Sequence, residues 1–185
     1  MTKQEILEHA LTLFMNKGYE GASMSDLAAA TGIKKASLYA HYSGKEEIFS
    51  AVFTGVVEEY RETIALITLR RDEESALTRL ERMFRAFLRY CHNNPRMYFW
   101  DRYFYFPPDF IKERMERETR ETQSEFLQVI QSAIQEGIAR GEIRTQPVES
   151  AALSYYYLMI GLSMSVKLYD REALEQDISS AWSGL

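Results

Sequence analysis

The chain has 185 residues, of which 46% are hydrophobic and 13% aromatic, a composition that is typical of a folded protein and excludes a disordered one. Its net charge of -5 gives no overall attraction for polyanions, so any contact with nucleic acid has to come from a local basic patch. Cys91 is the single cysteine, which excludes an internal disulfide, and the N-terminus lacks a secretory pattern, so we expect a cytoplasmic protein.

The spacing of apolar residues follows the period of an α-helix in almost every segment, and no alternating run is long enough for a β-strand. The sequence therefore predicts an all-α fold. A capping box at Thr2 begins the first predicted helix, and Gly18 is its predicted end. A second capping box at Ser23 begins a short helix that ends about two turns later, at residues 31–32.

Residues 34–42, KKASLYAHY, combine three kinds of surface on one short predicted helix. Two lysines begin the segment, Leu38 and Tyr42 suit packing against a core, and small or hydroxylated side chains remain for outside contacts. Gly32, just before the segment, can adopt the left-handed conformation of a sharp turn between helices. Helices two and three are therefore predicted to form a helix-turn-helix, in which the second helix binds in the major groove of DNA.

Taken alone, the lysine pair also fits an ordinary solvated helix start, and the tyrosines fit ordinary packing. The capped second helix and Gly32 favour the helix-turn-helix instead. A fourth helix follows, capped either by Ser43 with Glu46 or by Gly44. Its first backbone N–H groups, beside Lys45, suit a phosphate.

Residues 1 to about 50 resemble the TetR family of transcriptional repressors. The resemblance rests on the segments GYEGAS, SDLAAATGI, LYAHY and GKEEIF at these spacings, and beyond residue 50 it is architectural only. It implies an N-terminal three-helix helix-turn-helix DNA-binding module at residues 1–46. A larger helical domain for effector binding and dimerisation would then follow at residues 47–185.

The same resemblance implies a set of contacts with a double-stranded DNA operator. On the third helix, Tyr39 and His41 would meet the DNA backbone, and Ser25 and Lys45 would hold phosphates at the starts of the second and fourth helices. The complete predicted set is Ser25, Lys34, Lys35, Ala36, Ser37, Tyr39, His41 and Lys45.

Two positions of the third helix depart from the family pattern. Lys34 occupies a position where the family frequently has a capping serine, so a helix cap is lost and a positive charge is added. Ala36 replaces the usual glycine, and its side chain limits how closely the backbone of the helix can approach a base. Three of the five lysines in residues 1–50 lie between positions 34 and 45, where phosphate contacts are expected. Because each chain carries so few phosphate-binding charges, we expect two subunits to bind together.

The densest aromatic segment is MYFWDRYFYF, residues 97–106, with seven aromatic side chains among ten residues. Such rings either pack as solid core or line an apolar ligand cavity, and the sequence leaves both possibilities open. The predicted lining of a cavity comprises Phe84, Phe87, Tyr98, Trp100, Arg102, Tyr103, Phe104, Met115, Tyr155, Tyr156 and Met159. It favours a small hydrophobic, aromatic or cationic effector, whereas an inward-pointing Arg102 favours a carboxylate.

Residues 151–169 are apolar nearly all round, so a helix formed by them needs neighbours on every side. The last predicted helix, residues 171–182, is too short to supply them all. We therefore expect a homodimer through the last two helices, which the TetR resemblance also implies. The mostly apolar stretch 151–166 is shorter than the roughly 20 residues that span a bilayer, so no membrane contact is expected.

The predicted function is that of a ligand-responsive transcriptional repressor, which binds a palindromic operator as a homodimer and is released by a small hydrophobic effector. Activation instead of repression stays open, as does a helical domain that recruits a protein partner and binds no small ligand. No nucleophile, base and orienting group converge, so we expect no enzyme and no cofactor. Cys91 and His92 point about 100° apart on a helix, which does not suit a metal site.

Overall fold

The structure is a computed structural model and describes residues 2–71, 73–168 and 170–185. The regular elements in these ranges are helices, which confirms the predicted all-α fold. In chain order they are α1 (Lys3–Gly21), α2 (Met24–Thr31), α3 (Lys35–His41), α4 (Lys45–Thr68), α5 (Ala76–Asn93), α6 (Arg96–Tyr105), α7 (Lys112–Ala139), α8 (Val148–Ser165) and α9 (Arg171–Ser183), with 3-10 turns at Asp109–Ile111 and Val166–Leu168. Tyr169, the last residue of the predicted apolar segment, lies outside the described residues.

The helices belong to two compact units. The first, here called the N-terminal unit, comprises Met1–Tyr60 and Arg96–Glu118, and the second, the C-terminal unit, comprises Arg61–Pro95 and Thr119–Leu185. Both boundaries fall inside helices, because α4 and α7 each contribute residues to both units. The unit that contains the helix-turn-helix therefore also includes most of α4, all of α6 and the start of α7.

Residues at the helix ends explain where the first three helices begin and stop. The two predicted capping boxes are present, with Thr2 as the N-cap of α1 and Ser23 as the N-cap of α2. Gly32 ends α2 in the left-handed conformation, with φ of 69°. Lys34 precedes α3 and makes no side-chain cap, so the predicted loss of a cap is confirmed.

The predicted end of α1 at Gly18 is wrong by about one turn. The backbone leaves the helical conformation at Gly18, with φ of 76° and ψ of 167°, and α1 then continues to Gly21. Glycine adopts this positive φ without the steric cost that a Cβ imposes on other residues. Gly18 therefore breaks α1 and does not end it.

The core of the N-terminal unit joins the helix-turn-helix to α6. Phe14 of α1, Phe49 of α4 and Phe99 of α6 are fully buried. The centroid of the Phe49 ring lies 5.1 Å from that of Phe14 and 5.3 Å from that of Phe99. Tyr103 completes this cluster, with its ring centroid 4.8 Å from that of Phe49. Part of the aromatic segment 97–106 is thus core of the unit that contains α3.

The core of the C-terminal unit contains residues of α5, α7, α8 and α9. Phe84 of α5 packs edge-on against Tyr155 of α8, and Phe87 packs against Phe126 of α7, each with ring centroids 5.7 Å apart. The buried Tyr155 hydroxyl donates to the Leu80 carbonyl at 2.7 Å, and burial raises its pKa. Ring packing and a satisfied buried hydrogen bond therefore hold α8 against α5.

Two arginines of α5 bind the end of α4 within the C-terminal unit. Arg82 donates to the carbonyls of Ile67 and Leu69 at 2.6 and 2.8 Å, and Arg79 donates to the carbonyl of Thr68 at 3.1 Å. The last carbonyls of a helix lack partners within it and carry its partial negative charge. The arginines therefore stabilise α4 where it ends.

Candidate nucleic-acid interface

The third helix, α3, buries one side and exposes the other. Leu38 and Tyr42 are buried in the core of the N-terminal unit, which confirms their predicted inward orientation. Ile33, in the turn before α3, is partly buried against the same core. The outward side carries the residues predicted to approach DNA, all of them exposed: Lys34, Lys35, Ala36, Ser37 and Tyr39.

The start of α2 lies beside the start of α3. The Lys35 ammonium donates to the Ser25 hydroxyl at 3.3 Å, so two of the predicted DNA contacts share one surface. Ser25 lies in the first turn of α2, where backbone N–H groups and the helix dipole favour an anion. His41, the last residue of α3, is half-buried and less accessible than Tyr39, which is 48% exposed.

A lysine of α1 neutralises the acid in the first turn of α2. Lys17 Nζ lies 2.5 Å from the Asp26 carboxylate, which also accepts from Ser23 in the capping box. The hydrogen bonds from Lys17 and Ser23 lower the pKa of Asp26 to about 2. Asp26 therefore stays ionised as part of the α2 cap, and Lys17 is paired within the chain.

Gly44, one of the two predicted caps of α4, is its N-cap. The Ile48 N–H donates to the Gly44 carbonyl, the first hydrogen bond of the helix. Ser43 donates from its N–H and its hydroxyl to the Glu47 carboxylate, and not to the predicted Glu46. These bonds hold the pKa of Glu47 below its usual value.

Lys45 makes contacts within the chain that the sequence pattern does not indicate. Its ammonium donates to the carbonyls of Tyr19 and Ala22 at 2.8 and 2.9 Å and lies 4.0 Å from the centroid of the Tyr19 ring. A cation is favourable at these carbonyls because they belong to the C-terminal end of α1. Lys45 therefore has a role in the fold, and its contact with a phosphate stays a prediction.

The residues predicted to line an effector cavity are divided between the two compact units. The N-terminal unit contains Tyr98, Trp100, Arg102, Tyr103, Phe104 and Met115, and the C-terminal unit contains Phe84, Phe87, Tyr155, Tyr156 and Met159. Several of them pack against rings of their own unit. The Tyr103 ring centroid lies 4.7 Å from that of Phe99, and the Tyr156 ring centroid lies 6.2 Å from that of Phe126. Tyr98 and Phe104, by contrast, are exposed.

Arg102 and Trp100 contact other helices of the N-terminal unit. The Arg102 side chain is exposed, and its Nη1 donates to the Met15 carbonyl of α1 at 3.1 Å. Arg102 and Tyr103 also border a cavity of about 510 Å³ in this unit, beside Lys17 and Tyr19, so binding of a carboxylate by Arg102 stays a prediction. Trp100 stacks on Tyr60 of α4, with ring centroids 5.3 Å apart and ring planes at 10°.

A cavity of about 310 Å³ lies within the C-terminal unit. Leu80 of α5, Ile134 of α7, Tyr155 of α8 and Trp182 of α9 are among the residues around it. The described residues that line it include no charged side chain. Its size and apolar walls suit a small molecule, and Tyr155 is a predicted lining residue that borders it.

The pair Cys91 and His92 lies on α5. Cys91 is buried, and His92 Nδ1 lies 2.8 Å from the Val166 carbonyl. Across the described ranges, no three His, Cys, Asp or Glu side chains are grouped as a metal site requires. His92 therefore has a structural partner in the chain.

The outward face of α8 is apolar. Leu153, Tyr157 and Met164 are exposed at helical spacing, and Leu168, just beyond the helix, is 83% exposed. The opposite side of α8 is buried in the C-terminal unit. Within the described chain, this helix has a covered side and an uncovered apolar side. None of the described helices combines the length and the apolar composition that a bilayer crossing requires.

The N-terminal residues match a known family. The sequence profile described as "Bacterial regulatory proteins, tetR family" matches residues 6–52. IcaR of Staphylococcus epidermidis, a negative transcriptional regulator of the biofilm operon icaADBC, is 51% identical over 47 residues, which are 25% of this chain and 25% of IcaR. IcaR of Staphylococcus aureus strain Newman is 47% identical over 47 residues. The chain thus matches a quarter of the length of these relatives.

Solved structures extend the similarity of fold to the whole chain. A TetR transcriptional regulator from Chloroflexus aurantiacus has a TM-score of 0.73 at 25% identity, over 98% of this chain and 92% of that one. AibR in complex with isovaleryl coenzyme A and operator DNA has a TM-score of 0.70 at 19% identity, over 99% of this chain and 97% of that one, which is a likeness of fold alone. Taken together, residues 6–52 match the TetR family of regulators, and the chain as a whole shares the fold of solved TetR-family regulators.

Proposed function

We propose that the protein is a transcriptional repressor that binds a palindromic DNA operator as a homodimer and is released by a small hydrophobic effector. The observation that carries the proposal is the polar outer surface of α3, where Lys35 is hydrogen-bonded to Ser25 at the start of α2. The match of residues 6–52 to TetR regulators and the shared fold support a DNA-binding regulator.

The dimensions and chemistry of α3 support its role as a recognition helix. Its 7 residues span roughly 10 Å at a rise of about 1.5 Å per residue, which fits a major groove about 12 Å wide. Phosphate contacts fix the orientation of a protein on DNA, and base contacts give specificity. We assign Ser25 and Tyr39 to phosphates and Ser37 to base edges, with Lys34 and Lys35 adding positive charge.

Pairing of two chains is supported by the small number of available cations. Lys17 and Lys45 are held within the chain, so Lys34 and Lys35 carry most of the positive charge near α3. Two chains double the phosphate contacts and place two recognition helices about one turn of DNA apart, roughly 34 Å, on a palindrome. The exposed apolar face of α8 supports the pairing, since a second copy would remove it from water.

The similar proteins and the cavity are the support for repression and for release by an effector. IcaR is a negative regulator, which supports repression, and the AibR structure contains isovaleryl coenzyme A together with operator DNA, which supports a small ligand but not its release of DNA. The cavity in the C-terminal unit, lined without charged side chains among the described residues, favours an uncharged apolar group. Binding would shift the population toward a dimer in which the spacing of the two α3 helices no longer matches successive major grooves.

A second candidate function is a DNA-binding regulator whose helical domain recruits a protein partner and binds no small ligand. The aromatic side chains of α6 favour it, because Tyr98, Phe104 and Tyr105 are each about half exposed. Exposed aromatic patches of this kind mark protein interaction sites.

Selection of bound fragments from a random or genomic DNA library tests DNA binding. We expect the wild-type protein to enrich a palindromic sequence. The double variant Lys34→Ala with Lys35→Ala should lose this enrichment while its circular dichroism spectrum stays unchanged, because both side chains are exposed. If no sequence is enriched, or if the double variant enriches the same sequence equally well, the proposal is wrong.

Tryptophan fluorescence tests the effector. Trp100 lies in the N-terminal unit and Trp182 borders the cavity of the C-terminal unit, so a Trp100→Phe variant reports on the cavity alone. Titration with neutral, cationic and anionic aromatic compounds should give a saturable change with a neutral apolar one, together with release of operator DNA. A change without release would exclude the effector role, and no change across the series would favour the protein partner.

A further inference from the structure

The break of α1 at Gly18 leaves backbone carbonyls without helical partners. A helix pairs each carbonyl with an N–H four residues later, so the non-helical backbone of Gly18 moves the N–H groups after it away from the carbonyls of the preceding turn, beginning with that of Met15. Two neighbours on α6 supply donors there. The Tyr103 hydroxyl donates to the Phe14 carbonyl, and Arg102 Nη1 donates to the Met15 carbonyl, each at 3.1 Å.

The Tyr103 hydroxyl is suited to this position by its burial. Burial raises the pKa of Tyr103 to about 12, against the lowering effects of Arg102 and of a hydrogen bond from the Tyr19 backbone. The hydroxyl therefore stays protonated near neutral pH and can donate to Phe14. It bonds the chain before the break, at Phe14.

The contact with Arg102 depends on the absence of a side chain at Gly18. A Cβ added to Gly18 would lie 2.6 Å from Arg102 Nη2 and 3.3 Å from its Cζ. The guanidinium thus lies directly against the backbone at the break. Glycine is needed at this position both for its φ of 76° and for the approach of Arg102.

The turn after the break leads directly into the helix-turn-helix. Helix α1 ends at Gly21, and Ser23 is already the N-cap of α2. From the other side, Lys45 of α4 bonds the carbonyls of Tyr19 and Ala22. The break at Gly18 therefore lies between the bonds that α6 makes to the carbonyls of Phe14 and Met15 and the bonds that α4 makes to those of Tyr19 and Ala22.

We propose that Arg102 and Tyr103 are positioning residues for operator binding. By bonding the broken end of α1, they fix the turn from which α2 and then α3 are placed. Neither side chain contacts DNA in this role, which rests on the proposed function in DNA binding. It differs from the sequence-based hypothesis in which both residues line an effector cavity.

The test compares Tyr103→Phe and Arg102→Gln with the wild-type protein in gel-shift titrations at several salt concentrations. Tyr103→Phe removes only the hydroxyl, and we expect each variant to bind the selected operator roughly 3- to 10-fold more weakly, the loss expected for one hydrogen bond. The slope of affinity against salt should not change, because no phosphate contact is lost. Lys35→Ala, by contrast, should lower that slope by about 2, because each of the two chains on the operator loses one cation.

Two control variants distinguish a positioning role of Arg102 and Tyr103 from a simple effect of the Arg102 charge and from general destabilisation of the fold. Tyr105→Phe removes a hydroxyl from an exposed tyrosine of the same helix and should bind like the wild type. Arg102→Lys keeps the charge and one donor for the Met15 carbonyl, so it should recover most of the affinity lost in Arg102→Gln. Hydrogen exchange should also become faster at backbone amides of residues 18–31 in Tyr103→Phe, a readout that needs no DNA.

Each outcome has a distinct meaning. If the wild-type protein binds no DNA sequence, the proposed function fails and this role fails with it. If the wild type binds and both variants bind equally well, with unchanged exchange at residues 18–31, the positioning role alone is overturned. A lower unfolding temperature with unchanged affinity, measured where all variants are folded, would also overturn it and leave a purely structural contact.

Discussion

The exposed faces of α3 and α8 differ in chemistry. The face of α3 carries lysines, a serine and a tyrosine around Lys35 and Ser37, whereas the face of α8 carries Leu153, Tyr157 and Met164. The first face suits a polyanion, whose binding weakens as salt rises. The second suits another apolar surface, whose binding is driven by removal of area from water and responds little to salt. The difference fits the proposed partners, DNA for α3 and a second copy of the chain for α8.

The largest expected effect on dimerisation and operator affinity comes from placing a charge on the α8 face. Met164→Arg should convert the dimer to a monomer, because an arginine would be buried in the interface without a designed partner. Operator affinity should then fall by roughly 100-fold or more, since binding through two sites is lost. Sedimentation and gel shift measure the two effects.

The matched control for this prediction is Leu66→Arg. Leu66 is an exposed apolar residue of the same unit, 73% exposed, but it lies on α4. The Leu66→Arg variant should remain a dimer and bind the operator with unchanged affinity. A Met164→Arg protein that remains a dimer would remove α8 from the interface.

The next effect concerns the α3 face. Lys35→Ala should weaken operator binding by about tenfold or more and lower the salt slope by about 2, because each of the two bound chains loses one cation near a phosphate. Its unfolding temperature should stay unchanged, since Lys35 is exposed and makes one long hydrogen bond of 3.3 Å. Tyr39→Ala should weaken binding with an unchanged salt slope. Equal affinity of both variants and the wild type would show that DNA binds elsewhere.

Lys45 should behave differently from Lys35. Lys45→Ala removes the donor for the Tyr19 and Ala22 carbonyls, so we expect the unfolding temperature to fall by a few degrees in addition to any loss of affinity. Thermal unfolding followed by circular dichroism measures the difference. An unchanged unfolding temperature with weaker DNA binding would assign Lys45 to a phosphate and not to the fold.

The smallest effect is a pH dependence at Asp26. Its pKa is lowered from 3.8 to about 2, so its ionised form contributes stability that is fully present above pH 3.8 and is lost as the pH falls through about 2. Asp26→Asn should therefore unfold at a slightly lower temperature than the wild type near neutral pH. The difference should shrink as the pH falls from about 4 to 2. A difference that is constant across this range would contradict the role of the charge.

The local features of the fold are predictable from sequence because each depends on neighbouring residues. The caps at Thr2 and Ser23, the turn at Gly32 and the inward side of α3 follow from spacings of a few residues. The exposed apolar side of α8 likewise reflects a segment with no polar face. Such features can be predicted because the residues that cause them lie close together in the sequence.

The features that sequence reasoning misses join distant parts of the chain. The bond from Arg102 to Met15 spans 87 positions and that from Lys45 to Tyr19 spans 26, and no periodic pattern encodes either. A signal is present at Gly18, since a glycine followed by another turn of helix can mark a break as well as an end. Contacts between distant residues also decide whether the aromatic segment 97–106 is core or cavity lining, so the sequence leaves both possibilities open. Period alone does not show that Tyr103 packs beside Phe49 in the unit of the recognition helix.

Sedimentation of the protein with its selected operator at low and high salt tests the central claim most directly. We predict two chains on each palindromic DNA site at about 50 mM salt, and release of the DNA with retention of the dimer at about 200 mM salt. This result would show a salt-sensitive contact with DNA and a salt-insensitive contact between chains, as the chemistry of the α3 and α8 faces predicts. A single chain on the DNA, or a dimer that dissociates with salt while DNA stays bound, would contradict the account.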